Sequence, residues 1–149
     1  MELSLFDVLG PVMIGPSSSH TAGAARLADV ARQIAGEFVH VSFGLHGSFA
    51  RTYRGHGTDR ALVAGALGLS PQDERLRRAF DLARERGVAF DFYPTHVEGA
   101  HENTVVMTFR SADGRERTIE GASLGGGRIR ICRIDDYPAE ITADAPTLV

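Results

Sequence analysis

The residues best suited to chemistry begin with a run of serines that leads into a histidine. Ser17, Ser18 and Ser19 are followed by His20 and Thr21, and the apolar residues after them recur at helical spacing. The N-terminus of a helix offers unpaired N–H groups and a partial positive charge, so this loop could bind a phosphate or a carboxylate. His20 adds a group that titrates near neutral pH. A serine cap with a loop-filling histidine would explain the same residues without a function.

A second candidate segment places a histidine between two glycines. His56 stands in the run Gly-His-Gly-Thr-Asp, where the glycines let the backbone approach a ligand closely. Thr58 or Asp59 is expected to cap a helix that continues through Leu67. The simpler alternative is a flexible turn that leads into a capped helix.

Two further segments are weaker candidates. Asn103 stands at the entry to a strand, as a turn residue or as a group that orients a substrate. The histidines and glutamates just before it fit no helical spacing of metal ligands, so no metal site is predicted in this chain. The run Gly125–Gly127, which follows Ser123, indicates a close backbone approach or a bulge between strands.

Composition limits the classes of protein to which the chain can belong. Its 149 residues, of which 43% are hydrophobic, suit a single domain over residues 1–149. A net charge of -3 argues against a nucleic-acid partner, and no apolar run approaches the roughly 18 residues of a membrane span. The first residues lack the features of a signal peptide, so we expect a cytoplasmic location. The single cysteine, Cys132, is expected to be a buried structural thiol and cannot form a four-thiolate metal site.

The elements that must position these residues follow from periodicity and from turn signals. The first half predicts helices over residues 19–35, 48–53, 58–67 and 70–87, with a strand over 38–46, and Ser70 as the cap of the last helix. The second half predicts strands over residues 88–93, 104–110, 117–121 and 129–134, with a loosely held tail over 135–149. The expected fold is therefore α+β, with a mainly antiparallel sheet covered by helices. A homodimer is one assembly that an unpaired sheet edge would allow.

Five segments, in their order along the chain, resemble the β subunit of bacterial iron–sulfur-dependent L-serine dehydratases. The resemblance extends from about Phe6 to Ile134, with Glu102 at a position where we expect proline. The pair of motifs Gly-Pro-Ser-Ser-Ser-His-Thr and Gly-His-Gly-Thr-Asp is distinctive. The five segments are Gly15–Thr21, Gly47–Ala50, Gly55–Asp59, His101–Thr104 and Gly125–Gly127.

The resemblance implies an activity, a cofactor and a partner. Members of the family deaminate L-serine to pyruvate and ammonia with a [4Fe-4S] cluster, which is held by cysteines of a separate α subunit or of a following domain. A chain with one cysteine fits the subunit that lacks the cluster. The resemblance also implies a fold similar to the allosteric substrate-binding domain of some D-3-phosphoglycerate dehydrogenases.

The resemblance and the residue types together assign roles. Ser17, Ser18, Ser19 and Thr21 are expected to contact the substrate, whose carboxylate suits the N-terminus of a helix. Thr58 and Asn103 are further substrate-binding candidates. His20 and His56 are the catalytic candidates, and the general base is one of them or a residue of the partner. The alternative is a regulatory module, in which the same residues bind a small carboxylate effector and catalysis belongs to the partner.

Overall fold

Alternating apolar residues build a sheet of six strands. The computed structural model describes residues 20–54 and 57–143. Within them the strand order is β2-β1-β3-β4-β5-β6, where β1 and β2 pair in parallel and the other neighbours are antiparallel. The strands are β1 His40–Leu45, β2 Ala89–Pro94, β3 Thr104–Arg110, β4 Glu116–Gly125, β5 Arg128–Ile134 and β6 Tyr137–Ala143.

Four α-helices accompany the sheet among the described residues, and this confirms the predicted α+β fold. A 3-10 helix, Glu74–Arg78, leads directly into the last of them. The helices are α1 Ala22–Ala35, α2 Ser48–Thr52, α3 Thr58–Ala66 and α4 Ala79–Glu85.

Helix α1 packs on the sheet through small residues and one leucine. Leu27 is fully buried, and a Cβ added at Gly121 of β4 would lie 2.7 Å from its Cδ1 atom. The absence of a side chain at Gly121 therefore leaves the space that Leu27 fills. Ala24, Ala28 and Ala31 are also fully buried, so the helical periodicity predicted the buried face of α1 correctly.

Helices α1 and α3 lie against each other at backbone distance. A Cβ added at Gly65 would lie 2.0 Å from the carbonyl oxygen of Ala25, so only glycine fits there. Earlier along both helices, a Cβ on Gly57 would lie 3.8 Å from Thr21 Cγ2. The two contacts occur in the same order along both helices. The helices therefore run side by side in a common direction, with their N-termini adjacent.

The helix predicted to begin at Ser70 begins later. Pro71 and Gln72 form a turn, and the carboxylate of Asp73 accepts a hydrogen bond of 2.8 Å from the backbone N–H of Arg75. The prediction was wrong because Asp73, which we had placed inside the helix, is the cap. The hydrogen bond from the Arg75 side chain lowers the pKa of Asp73 to about 2.

Two other expectations are corrected. Neither Thr58 nor Asp59 caps α3, because Gly57 occupies the N-cap in a left-handed conformation with φ 80° and Thr58 is already helical. The predicted tail over 135–149 is partly wrong, since Tyr137–Ala143 pairs with β5. Asp135 takes a positive φ of 55° in the turn between these strands. Residues 144–149 lie outside the described part of the chain.

The glycine run and Cys132 both lie in the hairpin formed by β4 and β5. Gly125 ends β4, and Gly126 and Gly127 form the turn to β5. All three φ angles are positive, and the register shifts between Ser123 and Gly125. The register shift agrees with the bulge, which was one of the alternatives predicted for this run. Cys132 is half-buried, not buried, because it lies on the opposite face of β5 from the fully buried Ile131.

The helix–helix contact predicts a stability difference between two glycine-to-alanine variants. Gly65→Ala should reduce the free energy of unfolding by about 3 kcal/mol, because its Cβ would meet backbone that cannot move aside. Gly114→Ala, in an open turn with φ 91°, should cost only about 1 kcal/mol. Urea unfolding of both variants measures the difference, and equal losses would contradict the close contact.

Candidate functional site

His20 precedes Thr21, the N-cap of α1, and its ring contacts two residues of α2. Its Nε2 atom lies 3.0 Å from Ser48 Oγ at the start of α2, and either atom can donate in this hydrogen bond. Its ring packs edge-on against Phe49, with 5.2 Å between the ring centroids, and Phe49 is fully buried. The imidazole is therefore oriented by a hydroxyl and an aromatic ring, both from α2.

Helix α2 is fixed by the backbone of the loop that precedes β3. The N–H of Ser48 donates to the carbonyl oxygen of Glu102 at 2.9 Å, and a Cβ added at Gly47 would lie 2.5 Å from the same oxygen. The exposed ion pair of Arg51 with Glu102, at 3.0 Å, contributes little in water. Since the contact uses a carbonyl oxygen, glutamate serves as well as the proline expected there.

The backbone of Asn103 takes part in a turn, whereas its side-chain oxygen has no identified contact. Its backbone N–H donates to His101 Nδ1 at 3.0 Å, and Thr104 Oγ1 donates to the carbonyl oxygen of His101 at 2.7 Å. These bonds form the turn predicted at this position. The side-chain Oδ1 atom of Asn103 is buried without a hydrogen-bond partner.

Thr58 lies where the N-termini of α1 and α3 meet. It is fully buried, and its Oγ1 atom has no hydrogen-bond partner. It follows Gly57, where an added Cβ would lie 3.8 Å from the Thr21 methyl group. Two parallel helix dipoles therefore direct their positive ends to one place, which favours an anion there.

Asp59 is a buried carboxyl group in the first turn of α3. Burial raises its pKa above 3.8, although its hydrogen bond of 2.8 Å from the Arg60 N–H and the charges of Arg60 and Arg54 oppose the rise. The positive end of the helix dipole partly offsets the burial of a charged carboxylate.

The structure brings four of the predicted site residues to one end of the sheet. His20 bonds to α2, α2 bonds to the residue before Asn103, and Thr21 neighbours the glycine before Thr58. Ser17, Ser18, Ser19 and His56 lie outside the described residues, so their roles stay predictions.

Sequence reasoning missed two serines of this region. Ser48 was noted only as part of a motif, although its position after Gly47 is a signal of a tight approach. Ser123 was noted only beside the glycine run. It is fully buried, and its Oγ atom has no hydrogen-bond partner.

The described residues do not provide ligands for an iron–sulfur cluster. They contain no group of three or more His, Cys, Asp or Glu side chains that could hold a metal ion. Cys132 stands alone among them, and burial raises the pKa of its thiol, which disfavours the thiolate that binds iron. His46 is buried and accepts a hydrogen bond from the Val97 N–H instead. Over the described ranges, no helix is long and apolar enough to cross a membrane.

The sequence of this chain matches a known class of protein. Residues 4–132 match the family described as serine dehydratase beta chain, and the chain belongs to that family. This confirms the resemblance found in the sequence.

Particular relatives are named either as L-serine dehydratase or as its beta chain. The chain is 43% identical to the L-serine dehydratase beta chain of Peptoniphilus asaccharolyticus, over 99% of this chain and 68% of the relative. It is 42% identical to the probable L-serine dehydratase beta chain of Bacillus subtilis, over 98% and 66%. It is 33% identical to the L-serine dehydratase of Mycobacterium tuberculosis, over 87% and 33%. The chain thus spans about two thirds of the length of the first two relatives and about a third of the last.

The bond between His20 and Ser48 predicts a change in the imidazole. Ser48→Ala should shift the tautomer equilibrium of His20, because one ring nitrogen loses its hydroxyl partner. Ser48→Thr should retain the wild-type equilibrium. Imidazole ¹⁵N chemical shifts of the chain report the tautomer, and identical shifts in Ser48→Ala and wild type would show that Ser48 does not orient the ring.

The raised pKa of Asp59 predicts how stability depends on pH. The folded state holds this proton more tightly than the unfolded state. The stability that the protonated carboxyl group contributes to the protein is therefore lost as pH rises from 3.8, its ordinary pKa, through its raised pKa in the folded state. Asp59→Asn should therefore gain stability relative to wild type over this window. Urea unfolding at a series of pH values measures the difference, and a difference that falls as pH rises would contradict the assignment.

Proposed function

We propose that this chain is the beta subunit of an L-serine dehydratase and supplies substrate-binding and proton-handling groups to a site completed by a partner. Membership of the serine dehydratase beta chain family and the names of its relatives support the proposal. The reaction removes the α-proton and the β-hydroxyl group of L-serine as water. The resulting enamine rearranges to an imine, which water hydrolyses to pyruvate and ammonia.

The substrate carboxylate is assigned to the adjacent N-termini of α1 and α3. Backbone N–H groups and two parallel dipoles favour a negative charge at this position. Thr21 and Thr58 lie beside it, and the Thr58 hydroxyl has no hydrogen-bond partner within the described part of the chain. Ser17, Ser18 and Ser19, which directly precede this place in the sequence, remain further proposed contacts.

The observation that carries the proposal is the oriented imidazole of His20 next to this anion site. An imidazole takes up and returns protons near neutral pH, and proton transfer by a placed side chain speeds reactions by roughly 10²- to 10⁴-fold. We assign His20 the transfer of the α-proton. His56, in the second distinctive motif, remains the second proposed catalytic residue.

The cofactor and the partner are assigned together. The sequence resemblance implies a [4Fe-4S] cluster, and the described residues of this chain do not fit one. The proposal therefore places the cluster on a cysteine-rich α subunit. The name beta chain in the relatives supports the existence of a second chain. We retain the predicted cytoplasmic location and the predicted option of a homodimer as parts of the proposal.

Replacing His20 tests its catalytic role. In the enzyme assembled anaerobically from both subunits, His20→Ala should lower kcat for pyruvate formation from L-serine by roughly 10²- to 10⁴-fold. His96→Ala is the matched control, because this histidine is 75% exposed in a loop. Its turnover should equal that of wild type.

Co-purification of the two subunits checks that the His20 variant still assembles. Unchanged turnover in an intact His20→Ala assembly would contradict the catalytic role. An effect confined to activation or cooperativity would favour the regulatory module.

A further inference from the structure

Two residues with unpartnered polar side-chain atoms, Ser123 and Asn103, stand opposite each other in the register of β3 and β4. Ser123 donates its backbone N–H to the carbonyl oxygen of Asn103 at 3.0 Å, one step beyond the paired residues Thr104 and Ala122. Residues directly opposite in an antiparallel pair project their side chains to the same face, with Cβ atoms about 5 Å apart. The Oγ atom of Ser123 and the Oδ1 atom of Asn103 are both buried, and neither has a hydrogen-bond partner among the described residues.

The shared face is the one that α1 covers. Along β4, Ser123 lies two residues from Gly121, where an added Cβ would meet Leu27 of α1. Along β3, Asn103 lies two residues from the fully buried Val105. Because side chains alternate along a strand, Ser123 and Asn103 project toward the helices and not toward the opposite face.

The same pair lies at the end of the sheet where α1 begins. The carbonyl oxygen of Glu102, the residue before Asn103, accepts a hydrogen bond from the Ser48 N–H, and Ser48 Oγ is hydrogen-bonded to His20, which precedes the N-cap of α1. The two polar atoms therefore lie at the same end of the sheet as the oriented imidazole and the adjacent helix N-termini.

The chemistry of the pair selects the group that it can bind. The Oδ1 atom of an asparagine only accepts hydrogen bonds, and a serine hydroxyl can accept one as well. Buried polar atoms normally have partners, so two adjacent exceptions point to a donor from outside the protein. An ammonium group carries three donors and would satisfy both oxygens together.

We propose that Ser123 Oγ and Asn103 Oδ1 together bind the α-ammonium group of the amino-acid substrate. This inference rests on the proposed function and adds Ser123 as a specificity residue. The helix N-termini then hold the carboxylate, and the Ser123–Asn103 pair holds the ammonium. The carboxylate and the ammonium of the α-carbon are thereby bound at two different places. This fixes the orientation of the α-carbon and directs its proton toward His20. A hydroxy acid without the amine would leave both oxygens unsatisfied, so the pair selects amino acids.

The test replaces Ser123 by alanine in the assembled enzyme and compares two ligands. Ser123→Ala should raise KM for L-serine by roughly ten- to a hundredfold, the effect expected from losing a hydrogen bond to a charged group. Inhibition by 3-hydroxypropionate, which is L-serine without its amine, should be unchanged. The Tm of the isolated chain should not fall, because the variant removes a buried hydroxyl without a partner.

Ser42→Ala is the matched control, since Ser42 lies on β1 and its hydroxyl donates to Asp91 at 2.7 Å. It should leave both ligands unaffected. An unchanged KM with a lower Tm in Ser123→Ala would show a structural hydroxyl satisfied by water and would overturn the inference. An equal weakening of both ligands would also overturn it, since the contact would then not be with the amine. The wild-type enzyme in the same assay tests the proposed function separately. The proposed function requires that the wild type turn over L-serine, regardless of the result for Ser123→Ala.

Discussion

The backbone contact between α1 and α3 is the constraint on which the site depends. Gly65 lets α3 approach the Ala25 carbonyl oxygen more closely than any other residue would allow. The approach keeps the two helices parallel and adjacent, so their N-termini end at one place with their dipoles added. A wider separation would leave each helix with an isolated N-terminus, and Thr58 would no longer lie beside Thr21. Packing of small residues in the core thus determines the electrostatics of the site.

A second constraint comes from backbone hydrogen bonds to the loop before β3. The carbonyl oxygen of Glu102 holds α2, and α2 orients His20 through Ser48 and Phe49. The same loop ends in Asn103, whose amide oxygen is buried without a partner. Buried polar atoms without partners reduce stability, and proteins retain such groups where function requires them. Several such buried polar atoms lie at one end of the sheet, and this clustering is consistent with a binding site for a polar molecule.

The sequence predicted regular elements better than their ends. Helix α1 and strand β3 were found because their apolar residues keep one period throughout, and β3 was placed with its observed bounds. Strand β6 was missed because an edge strand needs little apolar alternation, and a proline such as Pro138 is tolerated at an edge but does not signal a strand. The start of the segment before α4 was misplaced because Ser70, Pro71 and Asp73 all offer helix-start signals, and only the folded chain selects among them.

The candidate site was predictable only where a motif marked it. His20, Thr21, Thr58 and Asn103 stand in motifs, and the structure places them at one end of the sheet. The role of Ser48 depends on a contact across 28 residues of sequence. The position of Ser123 opposite Asn103 depends on strand register, which no local pattern encodes. Sequence reasoning therefore identified the residues before the helices but not the hydroxyl groups that the sheet brings to them.

The central claim is that this chain and a cluster-bearing partner together form one L-serine dehydratase. Pyruvate formation from L-serine, measured anaerobically for the chain alone, for the partner alone and for the mixture, tests it most directly. The account predicts turnover only in the mixture, with loss of turnover on exposure to oxygen. A mixture with an intact cluster and no turnover of L-serine would contradict it and would leave a small-molecule binding domain.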